Sequence, residues 1–208
     1  MMCKRSFQLF SSLLIAGMLI QADPSMGQQF NAGVFGGVTA SQVDGDTYGG
    51  FNKLGMTAGA FVNRFIEFNI YWQLEIKYVM RGVYEAPELN SNFLYKSSYH
   101  YLEFPMSVHY LFDEKIQVEA GISPEVLLFD RFWDQDGIMD PSSYPDNRRV
   151  GLSVFAGVQY WFASTFGIGL RYTYSAIPFR KPEEWNNPQY RGYFHNVLCL
   201  TAAYQFKH

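Results

Sequence analysis

The stretch Ile70-Tyr71-Trp72-Gln73-Leu74-Glu75-Ile76-Lys77-Tyr78-Val79-Met80-Arg81 decides the fold. Its even positions are apolar throughout, while Gln73, Glu75, Lys77 and Arg81 stand at odd ones. A period of two is the signature of a β-strand, whose successive side chains point to opposite faces of a sheet. The parity returns from residue 101 to 112, where Leu102, Phe104, Met106, Val108, Tyr110 and Phe112 alternate with Tyr101, Glu103, Pro105, Ser107, His109 and Leu111.

Working outward, eight segments keep even positions apolar: about 30–42, 54–65, 69–83, 99–112, 115–129, 150–162, 165–176 and 194–206. The links near 63–68, 112–115 and 162–165 are tight. Those at 43–53, 84–98, 130–149 and 177–193 are long and rich in Gly, Pro, Asn, Asp and Ser. Short turns at one rim and long loops at the other describe an up-and-down barrel. A soluble barrel of the lipocalin kind shares that connectivity, so the odd face has to decide between them. It carries Gln73, Glu75, Lys77, Arg81, Glu103, His109, Gln117, Glu119, Glu125, Gln159, Arg171 and Gln205, with glycines at 33, 37, 55, 59, 121, 157, 167 and 169. A lipocalin needs the reverse, an apolar interior and a polar exterior. Eight strands enclose only enough room for side chains, so the charged set is expected inside and the even set against lipid. Aromatics cluster beside the tight turns, at Trp72, Tyr110, Phe112, Tyr160, Phe162, Phe166, Tyr204 and Phe206. That is the pattern of an interfacial girdle. The expectation is therefore all-β: an eight-stranded antiparallel up-and-down transmembrane β-barrel.

The N-terminus reads as an export signal. Lys4 and Arg5 precede a mostly apolar run from Leu9 to Ile20, and Ser25 and Gly27 place small residues ahead of Gln28. This is the pattern of a cleaved secretory signal peptide, too short to span a membrane as a helix. Cys3 precedes the apolar run, so it is not placed as a lipoprotein cysteine. Residues 1–27 are thus expected to be the signal peptide and 28–208 one outer-membrane barrel domain. Without Lys4, Arg5 and Asp23, the 16 basic and 19 acidic side chains fall to 14 and 18, a net charge of −4. Weak acidity offers no electrostatic basis for a nucleic-acid partner. Cys199 alone remains in the mature chain, so no intramolecular disulfide can form.

The segments Trp72-Gln73-Leu74-Glu75 to Tyr78 with Arg81-Gly82, Tyr101-Leu102-Glu103-Phe104-Pro105, Val118-Glu119-Ala120-Gly121 and the closing Leu198–Phe206 strand resemble the PorT-like family of outer-membrane β-barrel proteins of Bacteroidetes. The likeness spans nearly the whole mature chain. It implies an eight-stranded integral outer-membrane protein. The family's namesake is associated with type IX secretion, but the shared motifs are strand and lumen positions, so the resemblance carries the barrel and not that activity.

Buried charges need partners of opposite sign. Glu75, Glu103, Glu119 and Glu125 are therefore expected to pair with Lys77, Arg81 and Arg171 as a lumen ionic network rather than to act as acid–base catalysts. His109 and Glu103 share a face but lie about 20 Å apart along one strand, too far to form a dyad. Cys199 is read as a packed interior residue. The four histidines, at 100, 109, 195 and 208, have no metal-ligand spacing. Asp134 and Asp136 ahead of Gly137 lack the remaining ligands of a calcium loop, and the glycines around Val34 belong to a strand with no helix following, not to a phosphate loop. No catalytic residue, metal or cofactor is expected. Trp133 and Trp185, in the loops at 130–149 and 177–193, are the candidates for partner contact.

The function expected is that of a non-enzymatic outer-membrane barrel acting structurally or through its long extracellular loops, as an accessory to an envelope or secretion complex. Its partners would be outer-membrane lipid and lipopolysaccharide together with envelope or secretion proteins. The alternative is a barrel-embedded lipid-modifying enzyme of the acyltransferase type, with His100 and Ser97 or Ser98 near the outer rim. It needs a lipid-accessible apolar pocket in the lumen.

Overall fold

The structure is a computed structural model and describes residues 30–45, 50–85, 95–113, 115–181 and 192–206. The expected signal peptide and Trp185 lie outside the described residues. The strands are β1 (Asn31–Asp44), β2 (Lys53–Glu67), β3 (Ile70–Glu85), β4 (Tyr95–Glu103), β5 (Met106–Leu111), β6 (Ile116–Asp134), β7 (Gly137–Ile138), β8 (Val150–Trp161), β9 (Phe166–Ser175) and β10 (Phe194–Gln205), with a 3-10 turn at Pro141–Ser143.

All pairings are antiparallel and run round the ring in chain order, β8 pairing with β6 past the short β7, and β1 pairs with β10 from Gly33↔Gln205 to Asp44↔Phe194, which closes the ring. β4 and β5 share β3 and β6 as neighbours, so together they form one staff of an eight-stranded barrel. Closure leaves no open sheet edge, as a chain surrounded by lipid requires.

Three strand boundaries differ from the sequence reading. The fourth staff is not continuous from 99 to 112; it begins at Tyr95 and breaks at Phe104 and Pro105. Proline has no N–H to give the ladder, yet its carbonyl accepts from Glu75 N and Phe104 N donates to the Pro124 carbonyl, each at 2.9 Å. The ring therefore survives the break. The fifth staff, expected to end near 129, runs on to Asp134. His100 pairs with Phe129 and Tyr101 with Leu127, so Leu128 is an extra residue, a β-bulge. Beyond it the parity inverts: Phe132 is buried while Phe129 and Arg131 are exposed. Trp133 consequently belongs to a strand, opposite Lys96 and Ile138, and not to a loop.

The two faces separate as their residue types demand. Odd positions of β3 from Tyr71 to Arg81 are buried, whereas Leu74 and Ile76 are 42% and 50% exposed. Val118, Ile122, Val154, Val158, Ile168, Leu170, Leu198 and Leu200 continue that exposed apolar wall around the ring. A continuous band of this kind exceeds what soluble monomers leave in water and matches the lipid face of an outer-membrane barrel. At the rim of the short turns the aromatics meet edge to face or tilted, as in Phe30–Trp72, Tyr110–Phe112, Phe166–Tyr204 and Tyr204–Phe206. One of these turns is fastened by the Asp113 carboxylate, which accepts from Ile116 N and Lys115 N at 2.7 Å each and is thereby held below the usual carboxylate range.

Candidate functional site

The lumen holds the chain's densest polar chemistry. Period two aims Glu75, Lys77 and Arg81 of β3 into it, together with Glu103 of β4, Glu119 and Glu125 of β6 and Arg171 of β9. All are buried. Nearer the long-loop rim, Lys77 Nζ lies 2.6 Å from Glu103 Oε2, and Arg81 reaches Glu103 at 3.5 Å and Glu125 at 2.7 Å. The Ser153 hydroxyl donates to Glu125 Oε2 at 2.8 Å. Toward the short turns, Arg171 bridges two carboxylates. Its Nε and Nη2 donate to Glu119 at 2.6 and 2.8 Å, and its Nη1 and Nη2 donate to Glu75 at 2.9 and 2.6 Å. Only the planar guanidinium fork can hold two carboxylates this way. Gln73 and Gln159 donate to the remaining lone pairs of Glu75 and Glu119 at 2.9 and 3.0 Å. The Arg81 and Arg171 guanidinium carbons lie 3.8 and 4.4 Å from the ring centroids of Tyr101 and Phe155.

Small residues make space for this cargo. A Cβ on Gly151 would fall 2.7 Å from Glu125 Oε1, and one on Gly157 2.6 Å from Glu119 Oε1. What space remains beside Arg171 and Cys199 is a cavity of about 30 Å³, room for a water or two. It cannot admit an acyl chain or serve as a solute channel. In planar bilayers the purified protein is accordingly expected to give no stepwise ion conductance. Steady open-channel steps would show that the network comes apart in the membrane.

Above the ions an aromatic cap closes the mouth. Phe179 stacks on His195 with centroids 3.9 Å apart, Tyr99 meets Phe132, Phe179 and His195 edge to face, and Tyr144 tilts over Phe132 at 4.7 Å. Arg180 ties the loops to it, donating to the Tyr99 hydroxyl at 2.9 Å and to Asn147 Oδ1 at 3.0 Å. Sequence reasoning missed this cap. The signal was there: near the long loops the odd positions turn from charged to apolar, at Val43, Val79, Val83, Tyr99, Tyr101, Leu127 and Val197.

The candidate chemical groups are dispersed. His109 finds partners other than Glu103: its Nε2 stands 2.9 Å from Ser107 Oγ and 3.4 Å from Glu119 Oε2. A Ser–His–acid relay uses opposite ring nitrogens; here both partners share one, so no relay forms. Ser97 is buried and bonds Val83 N, while Ser98 and Tyr78 bracket His100 on the outer wall at 3.3 and 2.5 Å. Among the described residues no carboxylate pairs with them, and Ser98 is 2% exposed. Asp134 and Asp140 accept from Asp136 N and Ser142 N, each at 2.9 Å, and so serve as turn caps. Cys199 is buried on the lumen side. Trp133 stands on the outer wall with the Lys96 ammonium 4.7 Å from its ring centroid.

Residues 21–179 match the model of the family described as outer membrane protein beta-barrel domain. No characterised protein matches at the sequence level. Among solved structures, Ail, the attachment invasion locus protein of Yersinia pestis, in complex with the heparin analogue sucrose octasulfate, is similar with a TM-score of 0.52 at 16% identity, over 86% of this chain and 99% of its own. Neisserial surface protein A is similar with a TM-score of 0.50 at 12% identity, over 85% of this chain and 97% of its own. The outer membrane enzyme PagL is more distant, with a TM-score of 0.40 at 13% identity over 84% of this chain and 98% of its own. Identities this low speak for the shared barrel alone.

Proposed function

We propose that this chain, which belongs to the outer membrane protein beta-barrel domain family, is a non-enzymatic integral outer-membrane protein that works through its long-loop rim, held outside the cell. The observation that carries the reading is the lumen: the ion network crosses it, leaving about 30 Å³ beside Arg171, and the aromatic cap closes its long-loop mouth. A barrel blocked in this way neither conducts nor passes a lipid chain through, and the chemistry it presents at the long-loop side lies in the loops and the outer wall. Residues 1–27 act as the cleaved export signal and 28–208 as the barrel domain. Envelope or secretion proteins are the partners for the loops, with Trp133 and Trp185 as their aromatic contacts.

The test has two stages. The protein should require detergent for extraction from envelopes and migrate differently on gels before and after boiling; release without detergent, and no gel shift, would sink the membrane reading. A pull-down from native membranes should then recover an envelope protein with the wild type. A variant whose 135–149 connection is cut to a short turn should lose it while keeping the gel shift. Equal recovery by the trimmed barrel would remove that loop from the function.

A further inference from the structure

On the lipid-facing wall just below the long-loop rim, adjacent strands form a short ladder: Tyr84, Lys96 and Trp133 in one rung, Gly82, Ser98 and Arg131 in the next, Met80, His100 and Phe129 below. Gly82 has no side chain and Ser98 a small one, so the middle rung is a notch. Lys96 overhangs it from above, on the face of Trp133 at 4.7 Å, and Arg131 borders it, 5.6 Å from the Phe129 ring centroid. Below, His100 is pinned between Tyr78 and Ser98 and stacks on Phe129 at 4.1 Å.

Lys96 and Arg131 are diagonal neighbours across one strand pair, a spacing at which long side chains meet. Neither joins any of the ion pairs among the described residues. Asp130, beside Arg131 in sequence, lies past the parity inversion and accepts from Asn147 instead. Two like charges side by side repel unless an anion lies between them. A single cation at an interface needs only to snorkel toward water. A pair over a notch, with their heads held against aromatic rings, is a different arrangement, because guanidinium and ammonium together match a phosphoryl group. At this height outside an outer-membrane barrel, phosphoryl groups are presented by lipopolysaccharide.

Resting on the orientation proposed above, we infer that Lys96 and Arg131, over the Gly82–Ser98 notch, bind a phosphoryl headgroup of outer-leaflet lipopolysaccharide on the outer wall. Lys96 sits as a point charge and Arg131 as a fork, while Ser98 and His100, engaged with each other and with Tyr78, form the wall beneath them. The lipid chains then run down the wall past Phe129, Leu102 and Val126. The site ties the barrel to its leaflet and leaves the loops free for a protein partner.

The full-length mature protein, folded in detergent micelles and checked by its gel shift, is titrated with phosphorylated lipid A and with the same lipid after phosphatase treatment. The wild type should bind the phosphorylated form at least about tenfold more tightly. Lys96→Gln and Arg131→Gln should each weaken binding about fivefold, and the double variant about 25-fold. Arg64→Gln, at the opposite rim, should leave it unchanged. Equal affinity for the dephosphorylated lipid, or wild-type affinity in the folded double variant, overturns the site. Competition by inorganic phosphate at concentrations matching the lipid would show a site for free anions and overturn it as a lipid site. Failure of the wild type to show the gel shift would instead strike the membrane reading beneath it.

Discussion

Replacing Arg171 by Met is expected to destabilise the barrel by about 3–5 kcal/mol, the range for removing one partner of a buried ion pair. The loss belongs at the upper end, because this guanidinium serves two carboxylates. Without it Glu75 and Glu119 remain buried across the lumen from each other, keeping Gln73 and Gln159 as donors and the His109 imidazole 3.4 Å from Glu119, but no Lys or Arg at hydrogen-bonding distance. Arg171→Lys should recover only part of the loss, since an ammonium cannot reproduce the paired Nε/Nη2 and Nη1/Nη2 contacts. The combination of Arg171→Met with Glu75→Gln and Glu119→Gln should come close to wild type, because the stranded charges go with the cation. Reversible urea unfolding in liposomes measures all three. If Arg171→Met alone unfolded at the wild-type midpoint, the carboxylates would have to be hydrated and the lumen wet.

Leu170, the adjacent residue, is expected to fail for the opposite reason. It lies midway along β9, points outward at 44% exposure, and is flanked by Val158 and Leu200. Leu170→Arg places a charge on the lipid face near mid-height, which costs about 2–4 kcal/mol in barrels of this kind. The same substitution at exposed Phe206, in the short-turn girdle, should cost about 0–1 kcal/mol, because the interface is hydrated. Equal effects at the two sites would mean that the even face does not meet hydrocarbon. Removing a cation from position 171 and adding one at position 170 thus probe the two sides of a wall one strand thick.

How much was legible beforehand can be judged residue by residue. The parity of Ile70 to Arg81 is a local property, since it follows from backbone geometry that puts neighbours on opposite faces. It was enough to assign Glu75, Lys77 and Arg81 to the inside and Leu74 and Ile76 to the lipid. Where the residue types on the two parities are alike, the pattern falls silent. Leu127, Leu128 and Phe129 are all apolar, so nothing in the row betrays the bulge that sends Arg131 and Trp133 outward and Phe132 in. Lys96 falls within a stretch that reads as a loop for the same reason: Lys96, Ser97, Ser98, Tyr99 and His100 show no alternation. Both members of the proposed phosphoryl site were therefore hidden in stretches read as loops, and the aromatic cap was hidden in the loop ends.

By itself the sequence determined that the chain makes eight alternating strands, which face of each is polar, and that the inward charges are nearly balanced. Those depend on steric period and hydrophobicity, which act between neighbours in the chain. Only the tertiary structure decided who pairs with whom. Arg171 meets Glu75, 96 positions away, and Glu119, 52 positions away; Lys77 and Arg81 share Glu103. Ring closure and strand stagger bring these groups to common heights across the lumen, and the bulge at Leu128 resets one strand's facing. Neither the stagger nor the bulge is written in any local run of residues, because both arise when strands far apart in sequence must hydrogen-bond around one closed circuit.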